Sequence, residues 1–422
     1  MIKRIPLLLV GKEARKTDME RIHIFESLLH SGLYFERFGP VLDEADILDT
    51  VNKITASSPA LLFIDALQGG SARAMVLAAI KARVPVAIWC HDDKHSLASS
   101  SIASGALNQL NHPYVLIHGE PEQVGREFET ALRAAAAVKR LKNARIGQLG
   151  PLHYNLVNAQ INPLSITSRF GSWVVPISIA ALKKQVTDIS EDEIEKKLDE
   201  LKEKHIVEAG DDLLKRALAL RLALRNIALK NRLDAVAADC WNEIVPDIGI
   251  NPCLEFVYNE YTIACEGDLT LALTMLAGEE ICDMPGYCGD LYSLDESNGI
   301  ASLMHCTGCS KLHGGEGPMK ITVQQSPNTI VPGRELAVLQ PERAPGPGVI
   351  LILHGMSMEN LHLRKCKIIR TDFTNQMRLI IKIEGDNSNF RKEAAGNHYT
   401  VFPGECYEAW KLWARWNGVN IH

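Results

Sequence analysis

The sequence predicts an α/β fold: two Rossmann-like parallel-sheet domains followed by a β-rich, antiparallel barrel-like carboxyl-terminal domain. Three observations predict it. Apolar β-type runs alternate with segments of helical period over the first 150 residues. A second α/β unit begins near the apolar run Ala235–Asp239. Beyond about residue 316, short β-type runs follow one another with turn residues between them. A chain of 422 residues holds two or three domains with large cores. The expected boundaries are 1–150, 151–315 and 316–422.

In the first region the runs Pro6–Val10, Ala60–Ile64, Val86–Cys90, Tyr114–His118 and Ala144–Gly150 read as strands. Asp18–Ser31, Ala45–Ser57, Ser71–Ala82, Leu97–Leu110 and Val124–Leu141 read as the helices between them. Residues 151–233 divide less cleanly. Arg169-Phe-Gly-Ser-Trp173 is loop-like, Ser190 followed by Glu193 has the form of a capping box, and Leu213–Asn231 is a strong helix. In the last region the strands are Met319–Gln325, Arg334–Leu339, Val349–Leu353, Leu363–Arg370, Met377–Ile383 and His398–Phe402. Ala344-Pro-Gly-Pro-Gly348 and Gly385-Asp-Asn-Ser read as turns. The helix Glu405–Asn417 sets Trp410, Trp413 and Trp416 near one face, which reads as core packing ahead of an interface.

Composition excludes several classes. The apolar share of 46% rules out a mainly disordered chain, and a net charge of −6 gives no global basic field for nucleic acid. No run of ~18 apolar residues is present, so no membrane span is expected. The stretch Met1–Val10 is too short in apolar residues for a signal peptide and reads as a first strand. Ten cysteines form no compact framework, which fits free thiols in a reducing cytoplasm. Cys306-x-x-Cys309, near His305 and His313, lacks a second ligand pair. It reads as thiols beside a turn rather than a zinc knuckle.

Ligands in parallel α/β sheets sit beyond the carboxyl ends of the strands. Those ends carry Asp65-Ala-Leu-Gln-Gly-Gly70, Cys90-His91-Asp92-Asp93 and His118-Gly-Glu120. No GxGxxG or Walker loop follows a strand, so dinucleotide and nucleotide cofactors are not expected. The informative stretch comes later. Tyr261-Thr-Ile-Ala-Cys-Glu266-Gly-Asp268 is a strand that runs into two carboxylates. Asp268 has an ordinary use as a helix N-cap; Glu266 has none. Asp290 follows in Pro285-Gly-Tyr-Cys-Gly-Asp290, His305 ends Leu303-Met-His305, and His398 opens His398-Tyr-Thr-Val-Phe402. Two carboxylates with one or two imidazoles suit a borderline divalent ion such as Mn²⁺, with Mg²⁺ or Co²⁺ able to serve.

These elements in this order resemble the L-fucose and L-arabinose isomerase superfamily. Cys265-Glu-Gly-Asp268 is similar to a Gly-Glu-Gly-Asp element of the arabinose enzymes. His398-Tyr-Thr-Val-Phe402 is similar to their His-His-Thr-Val-Phe, with Tyr399 in place of the second histidine. The resemblance implies that Glu266 and Asp290 bind the metal and exchange protons with a sugar. It implies further that His398 and His305 are metal ligands and that Asp268 supports them or caps the helix. It also implies a trimeric or hexameric assembly in which one subunit's amino-terminal domain reaches into a neighbour's site. The chain is shorter than typical L-fucose isomerases, which leaves the sugar open.

Aldose–ketose isomerisation moves one proton between C1 and C2 and another between their oxygens. Two acidic groups at one cation meet that requirement. Trp241, Asn242, Arg169, His91 and Asp92 are the candidates for the distal hydroxyls, and Arg169 is a candidate partner for an acidic substituent such as a sulfonate. The expected function is therefore a metal-dependent isomerase of a free sugar: a cytoplasmic intramolecular oxidoreductase and homo-oligomer, with no nucleic-acid or membrane partner. The alternatives are a non-catalytic sugar-binding or regulatory protein on the same fold, and another metal-dependent enediolate enzyme such as an aldolase or dehydratase.

Overall fold

The computed structural model describes residues 4–30, 32–258, 260–305, 317–323, 336–339, 345–372 and 377–422. By contact density the chain forms two units. One comprises residues 1–139 with Glu408–Asn417; the other comprises Arg140–Tyr407 with the last residues from Gly418.

The first unit holds a parallel five-stranded sheet, ordered Tyr34–Val41, Arg4–Val10, Leu62–Ala66, Val86–Cys90, Tyr114–His118. Three of these strands are buried throughout or nearly so, as apolar runs covered on both faces must be. One face packs aromatic side chains: Phe25 makes edge contacts with Phe35, Phe63, Trp89 and Phe128. The other face packs small and aliphatic residues around Ile64, Ala78 and Ile88. The expected strands and helices are present to within a few residues. The strand Tyr34–Val41 was not expected. It is a half-exposed edge strand whose Glu36, Arg37, Gly39 and Pro40 hide any apolar alternation. The helix Tyr407–Trp416 also belongs to this unit, with Trp410 and Trp413 buried and Trp416 packed on the aromatic cluster.

The second unit begins with a parallel four-stranded sheet, ordered Thr262–Cys265, Ala235–Ala238, Arg145–Leu149, Trp173–Ile177. Arg145–Leu149, grouped by sequence with the first region, pairs among the described residues only here. The segment read as loop-like is the end of a helix, Pro163–Phe170, closed by Gly171 in the left-handed conformation and followed by a strand. Ser190 caps the helix Glu191–Lys204 by accepting from the Glu193 N–H.

The carboxyl-terminal region is a closed antiparallel barrel. Its strands run in the order Gly346–His354, His398–Pro403, Tyr287–Asp295, Ile300–His305, Met377–Ile383 and Asn360–Asp372, which pairs back with Gly346–His354. Tyr287, Leu303, Ile350, Ile368, Leu379 and Val401 fill its interior. Two barrel strands, Tyr287–Asp295 and Ile300–His305, thus come from before residue 316. Lys320–Val323 and Leu336–Leu339, expected among the barrel strands, instead form a small sheet with Ile206–Val207. The Pro-Gly run expected as a turn starts a strand at Gly346. Pro347 is tolerated because it lies at a strand start, and Gly348 because a Cβ there would sit 2.8 Å from the Phe402 carbonyl oxygen. Cys306, Cys309 and His313 lie outside the described residues. Among the described residues no helix is long and apolar enough to cross a membrane.

The helix Leu269–Ile281, buried along almost its whole length, packs between the parallel sheet and the barrel strands Gly346–His354 and His398–Pro403. Gly278 makes the close approach possible: a Cβ there would lie 2.0 Å from a Phe402 ring carbon. This packing sets the barrel wall beside the carboxyl end of the strand Thr262–Cys265.

Candidate metal centre

The strand Thr262–Cys265 is buried, β-branched at its start, and paired with Ala235–Ala238. It ends in two consecutive left-handed residues, Glu266 at φ 58° and Gly267 at φ 71°. Glycine takes that conformation freely, whereas glutamate is strained there by about 1 kcal/mol. The turn is held from outside. The N–H of His153 donates to the Glu266 carbonyl (2.9 Å), and Gly267 is pressed so close to Pro151 that a Cβ would lie 2.3 Å from its carbonyl oxygen. Strain that a neighbouring segment locks in place is a mark of a functional position. Asp268 then caps the helix, its Oδ1 accepting from the N–H groups of Thr270 (2.9 Å) and Leu271 (3.0 Å).

The barrel supplies the facing groups. His398 and Asp290 are directly paired on adjacent strands, and His305 ends the next one. The donor atoms of Glu266, His305 and His398 all lie within 4.8 Å of one another. His398 Nε2 is 3.5 Å from Glu266 Oε2 and 3.7 Å from Asp290 Oδ1. Asp290 therefore borders this group rather than completing it, and its Oδ1 accepts from Asn397 Nδ2 (2.6 Å). The exposures differ usefully: the His398 side chain is 2% exposed, Glu266 16% and Asp290 43%.

His398 Nδ1 donates to Asp268 Oδ2 at 3.1 Å, a role assigned from the bonding network. Its Nε2 is buried and has no hydrogen-bond partner among the described residues. A buried nitrogen facing two carboxylates, just beyond hydrogen-bond length, is an arrangement that a cation resolves. The donor set fits a divalent ion, and Asp268 holds His398 as a carboxylate would orient an imidazole bound to one. Burial pulls the His398 imidazolium down, but Asp268, then Glu266 and Asp290, raise it above its ordinary value. Burial also opposes the Asp268 charge, yet the His398 hydrogen bond holds that carboxyl below its usual range. Glu266 is raised, chiefly by burial and also by Asp290, against the pull of His398 and His305.

The sequence did not nominate His153 or Asn397. His153 Nδ1 lies 4.0 Å from Glu266 Oε2, and its ring lies 6.5 Å from that of Trp241. It follows the carboxyl end of the strand Arg145–Leu149, where the strand-end rule would have found it. Trp241 and Asn242 lie on a five-residue π-helical turn, Cys240–Ile244, in which Asn242 bonds back to Asp239. Trp241 thus stands beside His153. Arg169 donates to the carbonyls of Ser357 (2.8 Å) and Gly418 (2.7 Å), a structural task. His91 and Asp92 lie in the first unit. His91 is buried with Nε2 2.8 Å from Asp65 Oδ1, and Asp92 pairs with His118 on the surface.

A parallel α/β sheet and a closed barrel thus bring carboxylates and imidazoles to one point. No family model matches the chain. It is similar to sulfoquinovose isomerases. Those of Priestia aryabhattai and Priestia megaterium are 23% identical to it over 222 residues, covering 50% of this chain and 49% of theirs. That of a Clostridium species (strain MSTE9) is 23% identical over 229 residues, covering 49% and 48%. The chain spans about half the length of these curated relatives.

Proposed function

We propose that this protein is a metal-dependent aldose–ketose isomerase acting on a free, substituted hexose. The observation that carries the reading is the convergence of Glu266, His305 and His398 within 4.8 Å, with Asp290 at its edge. The similarity to sulfoquinovose isomerases supports it independently. Glu266, His305, His398 and Asp290 are the residues that would hold the ion. Mn²⁺ suits the mixed oxygen and nitrogen set, and Mg²⁺ or Co²⁺ could replace it. A bound ion supplies Lewis acidity, polarising the sugar carbonyl so that the neighbouring C–H becomes acidic.

The chain's own residues do the rest. Glu266 is aimed by its strained turn, and burial makes its carboxylate a stronger base. It takes the proton from C2 of the open-chain aldose and returns it to C1, passing through an enediol. Asp290, more exposed and on the barrel side, moves the second proton between O1 and O2. Asp268 keeps His398 in one tautomer throughout. The same reading takes the protein as a cytoplasmic homo-oligomer.

The test is a product assay on a panel of neutral and sulfonated aldoses, with Mn²⁺ added or chelated. Glu266→Gln should abolish turnover while circular dichroism and thermal unfolding stay near wild type. Near-normal isomerisation by this variant would overturn the assignment. Sugar binding without any ketose product would favour a binding protein, and cleavage or dehydration products an enediolate enzyme of another class.

A further inference from the structure

Strand register sets a row of side chains on the outer wall of the barrel. His398 pairs with Asp290, Asp290 with Met304, and Met304 with Arg378. Directly paired residues of antiparallel strands project from one face. Arg378 therefore shares a wall with two residues of the candidate centre. Strands lie about 4.8 Å apart, so the backbone of Arg378 is roughly 10 Å from that of Asp290. The side chain closes much of that gap. Its Nη2 lies 3.8 Å from Met304 Sδ, and its guanidinium carbon stands 4.8 Å from the centre of the Tyr292 ring, on the strand of Asp290.

The guanidinium is short of partners. Among the described residues its Nε is buried without a hydrogen bond and no carboxylate lies within ion-pair distance. Asp372, the next member of the row, makes no ion pair with it. A half-buried cation with an aromatic floor and unused donors is costly unless a ligand completes it. Its planar fork matches a tetrahedral oxyanion. An extended hexose with bonds of about 1.5 Å spans roughly 8 Å from C1 to a substituent on C6, within the roughly 10 Å that separate the two backbones.

We infer that Arg378 recognises a sulfonate on the far carbon of the sugar while C1 and C2 sit at Glu266 and Asp290. This rests on the isomerase reading and narrows its substrate to a 6-deoxy-6-sulfohexose. Arg169, the basic partner that the sequence offered, is already committed to two backbone carbonyls.

The experiment compares wild type, Arg378→Met and Arg378→Lys in two measurements. One is kcat/KM for a 6-sulfonated, a 6-phosphorylated and a neutral hexose. The other is calorimetric binding of the corresponding sulfonated hexitol, which cannot turn over. Wild type should prefer the sulfonated sugar. In Arg378→Met the preference over the neutral sugar should fall about 10- to 100-fold, as for loss of one charge-assisted pair, with a matching loss of hexitol affinity. Arg378→Lys should recover part of both. An unchanged preference in a folded Arg378→Met protein overturns the inference. A stronger, Arg378-dependent preference for the phosphorylated sugar overturns the sulfonate assignment. Hexitol binding that depends on Arg378, with no aldose isomerised, would retain this inference and sink the isomerase reading.

Discussion

Asp268 holds His398 with one carboxylate oxygen and a helix with the other. Oδ2 accepts from His398 Nδ1 at 3.1 Å, while Oδ1 accepts from the first N–H groups of Leu269–Ile281. The cap of a buried helix and the orientation of an imidazole are thus one interaction, and the helix's position is read out at Nε2.

Asp268→Asn separates the two tasks. Asparagine caps nearly as well as aspartate, so stability should fall by less than about 1 kcal/mol. The charge behind the imidazole is gone, and metal affinity should drop about 10- to 100-fold. Denaturant unfolding of the metal-free protein and Mn²⁺ titration by calorimetry check the two halves. Equal Mn²⁺ affinity in mutant and wild type would show that the carboxylate does not tune the site.

The strain at Glu266 has a measurable sign. Glu266→Gly relieves a left-handed glutamate and removes a buried carboxylate. The variant should be as stable as wild type or more stable, by up to about 1 kcal/mol, and should fail to bind Mn²⁺. A clear loss of stability in denaturant unfolding would mean that the turn is not strained.

A second buried carboxylate should govern stability against pH. Glu255 lies with Arg221 inside the second unit, 3.2 Å apart and both almost fully enclosed. Burial pushes Glu255 up to about 7 from its ordinary 4.5. The fold thus favours the protonated form. The group's contribution is complete below pH 4.5 and is lost as pH rises through 7. Relative to Glu255→Gln, wild type should lose about 3 kcal/mol between those limits and change little above them. Unfolding curves for both proteins at closely spaced pH values test this, and parallel curves would refute it.

What sequence could convey follows from the range of the interactions. Fully buried parallel strands such as Val86–Cys90 announce themselves as apolar runs, and helices such as Glu191–Lys204 by their period and caps. Tyr34–Val41 does neither, because an edge strand need not be apolar on either face. Barrel membership is decided by pairings across long separations, so nothing local in Tyr287–His305 tells which sheet it joins. Glu266, His305 and His398 could be nominated because a carboxylate or imidazole at the end of an apolar run lacks an ordinary explanation. His153 is passed over although it follows a strand end, because its hold on Glu266 comes from a backbone N–H that any residue there would supply.

Closure of the barrel also dictates when the centre can come into being. Asp268 and His398 stand 130 positions apart in sequence, and His398 lies on a strand flanked by Tyr287–Asp295 and Gly346–His354, both earlier in the chain. A polypeptide still emerging from the ribosome carries Glu266 and Asp290 long before the imidazole that faces them exists. Contacts of such separation form late, so the unfinished chain carries Glu266, Asp290 and His305 without the imidazole that faces them. On the proposed function, tight capture of an ion is reserved for the finished molecule.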